Sequence, residues 1–275
     1  NYFSNSDNAH LSTADLNNDG LMDVIALPTE SSGMYNDFSQ WFENKGDGTF
    51  EGHLLSSLHG AQGLAVSDFD GDGDVDMISA HHETELRIFL NNGSGNFESY
   101  EFIDDMGMVK DIFAVDLGQR GLMDILVADS YTLLYYSNNG VDASGTVSFT
   151  KHTVADQDYD TSYQSVTAMD MNGDGILDVV ASDTSSIYWY KYDGNSSFTK
   201  HVVDAAAAQN SYYGNVVLTA DVTQDSTPDI LFLSYEDNTV AWYKRLGDGN
   251  FSREIISNNF HAPSCAAIFD VDADN

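Results

Sequence analysis

One cysteine, Cys265, excludes an internal disulfide, and three prolines in 275 residues leave few enforced chain breaks. Basic residues are scarce as well: ten Lys and Arg stand against 44 Asp and Glu, a formal charge of −34. That balance excludes a nucleic-acid or anionic-lipid surface, because both need clustered cations. No run of 18 apolar residues occurs, so direct insertion of a helix into a membrane is not expected. The start Asn1-Tyr2-Phe3 has neither a basic nor an apolar leader region, which reads as a mature or excised segment. No stretch holds a 3.6-residue apolar period for three turns, so helices are not expected either.

A chain this acidic is often disordered, but 12% aromatic content argues for a packed core. Cys265 fits such a core as a small buried hydrophobe in a strand. The acid is also ordered: a nine-residue Asp pattern starts at Asp15, Asp68, Asp116, Asp170 and Asp221 and is cut short at Asp270, at intervals of 48 to 54 residues. Each loop is followed by a short apolar run, as in Val24-Ile-Ala-Leu27 and Ile230-Leu-Phe-Leu233. Farther on comes an aromatic strand with a Gly/Asn turn, as in Trp41 to Phe50 and Trp242 to Phe251.

Each unit thus reads as four short strands, too small to bury both faces alone. Radial stacking of such sheets is a β-propeller; a sandwich would not need the same loop in every unit. The expected fold is all-β: a propeller with blades at about 9–59, 60–105, 106–155, 160–205 and 210–258, and a truncated sixth at 259–275.

Alternate Asp oxygens in a tight loop suit calcium, which takes six to eight hard oxygen ligands. In the second loop Asp68, Asp70, Asp72 and Asp76 would supply side chains and Asp74 its carbonyl. The first has Asp15, Asn17, Asp19 and Asp23 with the carbonyl of Leu21, and the fourth has Asp170, Asn172, Asp174 and Asp178 with that of Ile176. The fifth (Asp221, Thr223, Asp225, Thr227, Asp229) is expected to be weaker, with Ser226 where glycine is usual; Asp270, Asp272 and Asp274 belong to the cut-off sixth. In the third, Gly118 and Arg120 replace two oxygens, and Arg120 is expected to lie between Asp116 and Asp124 as a built-in cation. Three to five calcium sites follow. An EF-hand is excluded, since position 12 is Ala26 or Ser79 rather than Glu.

The loop pattern with its later Asn-x-Gly-x-Gly-x-Phe turn resembles the FG-GAP/VCBS repeats of integrin α-subunit heads and secreted propeller lectins. The Gly-Ala-Pro element that names the family survives only as Gly60-Ala61-Gln62 and Ala262-Pro263. The resemblance implies a parent of seven blades, of which this chain would be a part.

Calcium at about 0.1–1 mM exists outside cells, so the loops favour secretion. Sequons at Asn92, Asn195 and Asn250 are compatible with glycosylation there. The Asp loops and the turns between third and fourth strands share one face of a propeller, so a partner is expected on the other. That face would carry Tyr35, His81, His82, Tyr159, Tyr163, Tyr212, Tyr213, Phe260 and His261. No Gly-x-Ser-x-Gly, phosphate loop or His-Glu-x-x-His motif occurs, so an enzyme is not expected. The expected function is recognition of an extracellular glycan or protein. The alternatives are a scaffold subunit of a larger extracellular assembly and, third, an accessory domain of a secreted polysaccharide-active enzyme.

Overall fold

A computed structural model describes residues 9–28, 39–55, 61–81, 85–97, 100–156, 162–209, 214–246 and 249–268. They form twenty strands in five sheets of four. The first blade is β1 (Ala9–Ala14), β2 (Asp23–Pro28), β3 (Gln40–Asn44) and β4 (Phe50–Leu54); the second is β5 (Ala61–Ser67), β6 (Asp76–His81), β7 (Glu85–Phe89) and β8 (Tyr100–Asp105). The third is β9 (Val109–Val115), β10 (Asp124–Asp129), β11 (Leu133–Val141) and β12 (Val147–Ala155). The fourth is β13 (Ser165–Met169), β14 (Asp178–Ser182), β15 (Ile187–Gly194) and β16 (Ser197–Asp204), and the fifth is β17 (Val216–Ala220), β18 (Asp229–Ser234), β19 (Thr239–Arg245) and β20 (Phe251–Ser257).

In every sheet, spatial order follows chain order, the arrangement of a meander. The apolar runs after each Asp loop become the second strands. β10 and β14 are buried along their whole length, as a strand covered on both faces must be. The fourth strands are largely exposed in β4, β16 and β20 and carry the alternating polar residues.

The fold is therefore an all-β propeller with five four-stranded blades. The truncated sixth blade expected from the repeat is corrected: β20 ends at Ser257, and described residues 258–268 contain no strand. Residues 265–268 are exposed and belong to no strand among the described residues. Cys265 is accordingly exposed and outside any strand, not a buried core residue.

The chain divides into two compact units. One comprises Asn1–Asp116, Arg120–Ile125 and Tyr136–Lys151; the other comprises Leu117–Gln119, Leu126–Tyr135 and His152–Asn275. In the first unit, Leu16, Ile25, Leu27 and Trp41 of the first blade pack with Met77 and Phe89 of the second. In the other, Met171, Val180, Ile187 and Trp189 of the fourth blade pack with Val217, Phe232 and Tyr243 of the fifth. Both cores are sheet faces pressed together, the burial a single blade lacks. Among the described residues, no helix is long and apolar enough to cross a membrane.

Candidate metal centres and the opposite loop face

The Asp repeats occupy the connections between the first and second strands of each blade. The first Asp of each loop turns the chain by accepting at least two backbone N–H groups. Asp68 receives Gly71 and Gly73 at 2.7 and 3.0 Å, and Asp170 receives Gly173 and Gly175 at 2.7 Å each. Asp15, Asp116 and Asp221 do the same. The sixth position is left-handed in all five loops, with φ of 86° at Gly20, 96° at Gly73, 72° at Gly121, 84° at Gly175 and 65° at Ser226. A side chain is disfavoured in that region, so Ser226 is the one strained member.

The last Asp of each loop opens the second strand and is fully buried: Asp23, Asp76, Asp124, Asp178 and Asp229. Asp76 accepts from the Phe69 N–H at the loop's start at 2.9 Å and from the Asn91 N–H after β7 at 2.8 Å. Asp23 and Asp178 repeat both bonds, so this carboxylate pins the loop to the third strand. Its charge is poorly solvated. Burial, joined by Asp70 and Asp72, pushes Asp76 up to about 7 against the two backbone donors, and burial likewise pushes Asp178 up to about 6. Asp70 is also raised, by burial first and then by Asp72 and Asp68.

Carboxylates that resist ionisation together are a site lacking positive charge. Asp68, Asp70 and Asp76 have ligand oxygens within 4.8 Å of one another, an all-oxygen set that fits a hard divalent cation. In the first and fourth loops the third position is Asn. The Asn17 amide donates to Asp19 and the Asn172 amide to Asp178, while their carbonyls take backbone N–H groups. In the fifth loop Asp229 Oδ2 is buried with no hydrogen-bond partner, and Thr227 Oγ1 donates to Asp225. Asp270, Asp272 and Asp274 lie outside the described residues.

The third loop is built differently. The Arg120 guanidinium donates to Asp124 Oδ1 at 2.5 Å and to the Asn138 carbonyl at 3.0 Å. Asp116 is engaged by the backbone N–H groups of Arg120 and Gly121 instead. Asp124 is thus the carboxylate that the cation meets.

With this geometry in place, a model of the FG-GAP-like repeat matches residues 15–79, 68–127, 116–181 and 170–232, each span running from one Asp loop past the next. The chain belongs to the FG-GAP-like repeat family. No curated protein sequence matches this FG-GAP-like chain. Solved structures do. An Agrocybe aegerita lectin that specifically recognises non-reducing terminal N-acetylglucosamine superposes with a TM-score of 0.64 at 19% identity, over 92% of this chain and 67% of that one. The V. cholerae biofilm matrix protein Bap1 superposes at 0.51 and 19% identity, over 92% of this chain and 39% of its own. A Lactobacillus plantarum protein superposes at 0.52 and 12% identity, over 82% and 64%. At such identities the likeness is one of fold, and this chain spans two thirds or less of those proteins.

At the end of the FG-GAP-like blades away from the Asp loops, Tyr35, His82, Tyr159, Tyr212 and Tyr213 lie outside the described residues, as does the His81 side chain. Tyr163 is not a surface residue: it is 2% exposed, and its hydroxyl meets that of Tyr190 at 2.8 Å. Phe260 is 60% exposed, and His261 is exposed beside it. Both are held at the β18–β19 turn, where Asn238 accepts the Phe260 and Ala262 N–H groups at 3.1 and 2.9 Å. The sequon residues Asn92, Asn195 and Asn250 are exposed in β3–β4-type turns.

Sequence reasoning missed the residues that tie blade to blade. Asn91, just after β7, and Asn138, within β11, are both buried, and each donates to a carbonyl in the preceding blade's Asp loop: Leu16 for Asn91 and Phe69 for Asn138, both at 2.8 Å. Their recurrence with Asn44 at the same point of the turn motif was the available signal. Asp104 and Asp204 belong to no Asp loop and gave none. Asp104 takes the Tyr136 hydroxyl and Lys151 Nζ at 2.8 Å each, and Asp204 takes the Tyr243 hydroxyl at 2.7 Å.

Proposed function

We propose that this FG-GAP-like propeller is a calcium-stabilised extracellular binding module. Its partner, a glycan or a protein, is met on the loop face away from the Asp repeats. The observation that carries the metal part is the second loop, where buried Asp76 sits among Asp68, Asp70 and Asp72 with its carboxyl pushed up to about 7. Calcium there would be held by Asp68, Asp70, Asp72 and Asp76, and its chemistry would be charge neutralisation alone. Asp15, Asp19 and Asp23, and Asp170, Asp174 and Asp178, would do the same in their blades. The Asn17 and Asn172 amides would turn their carbonyls inward.

Binding is favoured over catalysis because the carboxylates of the Asp loops are committed to holding backbone N–H groups. The lectin and biofilm-matrix folds support a recognition role. A calcium requirement at about 0.1–1 mM supports an extracellular setting, with Asn92, Asn195 and Asn250 as glycan acceptors on the Asp-loop side. Exposed Phe260 and His261 offer the aromatic surface suited to stacking on a sugar ring or a peptide.

A glycan array read with calcium and again with chelator tests this directly. Calcium-dependent retention of a defined glycan class, reduced by Phe260→Ala, supports the proposal. No retention, together with assembly of the chain into a larger complex, favours the scaffold reading instead.

A further inference from the structure

The outer edge of the first blade carries a second donor set, independent of the Asp loops. Trp41 and His53 are partners across β3 and β4, and their rings stack 4.3 Å apart at 17°. The same stack recurs as Trp189 on His201 at 4.1 Å and as Tyr135 on His152 at 5.3 Å, so the ring pair by itself belongs to the blade architecture. What differs is the pair two residues farther along. It is Lys191 opposite Thr199 in the fourth blade and Ser137 with Thr150 in the third, but Glu43 opposite Glu51 in the first.

Two carboxylates directly opposite on neighbouring strands repel each other. Here Lys45 Nζ lies 2.7 Å from Glu43 and 3.0 Å from Glu51. His53 Nε2 is 2.9 Å from the other Glu43 oxygen. One imidazole nitrogen and two carboxylate oxygens thus lie within 4.8 Å of one another.

We propose that Glu43, Glu51 and His53 form a binding site for a borderline divalent cation of the zinc type, which takes the place of Lys45. The donor chemistry makes the choice: zinc accepts imidazole nitrogen together with carboxylate oxygen, whereas calcium takes oxygen alone. The imidazole is held by stacking on Trp41, so its donor atom is placed before any ion arrives. The Lys45 side chain is 38% exposed and free to swing into water. Three protein ligands leave the remaining position to water, as in an open zinc site. A bound ion would also lock β4 to Trp41, against which the Gly95 backbone of the second blade packs so closely that a Cβ there would meet the indole at 2.2 Å.

The test is calorimetric titration of zinc chloride into the protein kept in excess calcium, comparing the parent with three variants. His53→Phe keeps a ring against Trp41 but removes the nitrogen, Glu43→Gln removes a charge, and Lys45→Ala removes the competing ammonium from an exposed position. Loss of an outer partner of a metal ligand typically weakens binding 10–100-fold, so loss of a ligand should weaken zinc by at least about tenfold in the first two. Lys45→Ala should bind more tightly than the parent. Equal zinc affinity in the parent and His53→Phe overturns the proposal, as do absence of zinc uptake by the parent and by Lys45→Ala, or an affinity unchanged by Lys45→Ala.

Discussion

Replacing Asn138 by alanine tests the idea that the blades are tied through their Asp loops. Asn138 is fully buried, its Nδ2 donates to the Phe69 carbonyl at 2.8 Å and the Met123 carbonyl at 3.0 Å, and its Oδ1 accepts the Gly140 N–H at 2.8 Å. Alanine removes all three bonds and leaves the Phe69 carbonyl in a buried site and the Met123 carbonyl and Gly140 N–H in partly buried ones. An unmet buried donor or acceptor costs about 1–3 kcal/mol, with carbonyls at the low end because they keep a second lone pair. The expected loss is about 3 kcal/mol, which in a chain of this size lowers Tm by roughly 6–12 °C. Asn138→Asp should be at least as damaging, since it turns a carboxylate oxygen toward two carbonyls beside Asp124. Asn44→Ala is the control: its amide bond to the Met22 carbonyl is 3.2 Å long and exposed, so about 1 kcal/mol or less is expected. Urea and thermal melts of the three variants in calcium make the measurement. A loss below about 1 kcal/mol for Asn138→Ala, or an Asp variant more stable than the Ala one, refutes the reasoning.

Arg120→Ala leaves Asp124 without this partly solvated cation and should cost about 2–3 kcal/mol that added calcium does not restore, because Gly118 supplies no side-chain oxygen. A melt in rising calcium checks it. Ser226→Gly relieves a left-handed residue at φ 65° and should stabilise by about 0.5–1 kcal/mol, read from the urea midpoint. Without calcium, folded Asp76 holds its proton to about pH 7 while the unfolded chain releases it near 3.8. The folded state therefore binds more protons between these values, and stability should fall as pH rises through that window, by up to about 4 kcal/mol at 1.36 kcal/mol per unit. Melts in chelator and in calcium across pH 4–8 should diverge with rising pH; parallel curves would exclude the effect.

The sequence by itself determined the repeat, the four strands of each blade, the positions of the five described Asp loops and the pairing of Arg120 with the last Asp of the third. All of these are local: an Asp bonding the N–H three to five residues on, a left-handed sixth position, or a strand alternation needs only its own segment. The tertiary structure alone decided the rest. Asn138 meets a carbonyl 69 positions away, and Tyr136 meets Asp104 across 32, pairings that no short-range period encodes. The same holds for burial. Tyr163, a surface candidate by composition, is covered by Tyr190, whereas Cys265, a core candidate by chemistry, is exposed because its segment pairs with no strand. An apolar run becomes a strand only when another strand completes its hydrogen bonds, and that partner is a property of the fold rather than of the run.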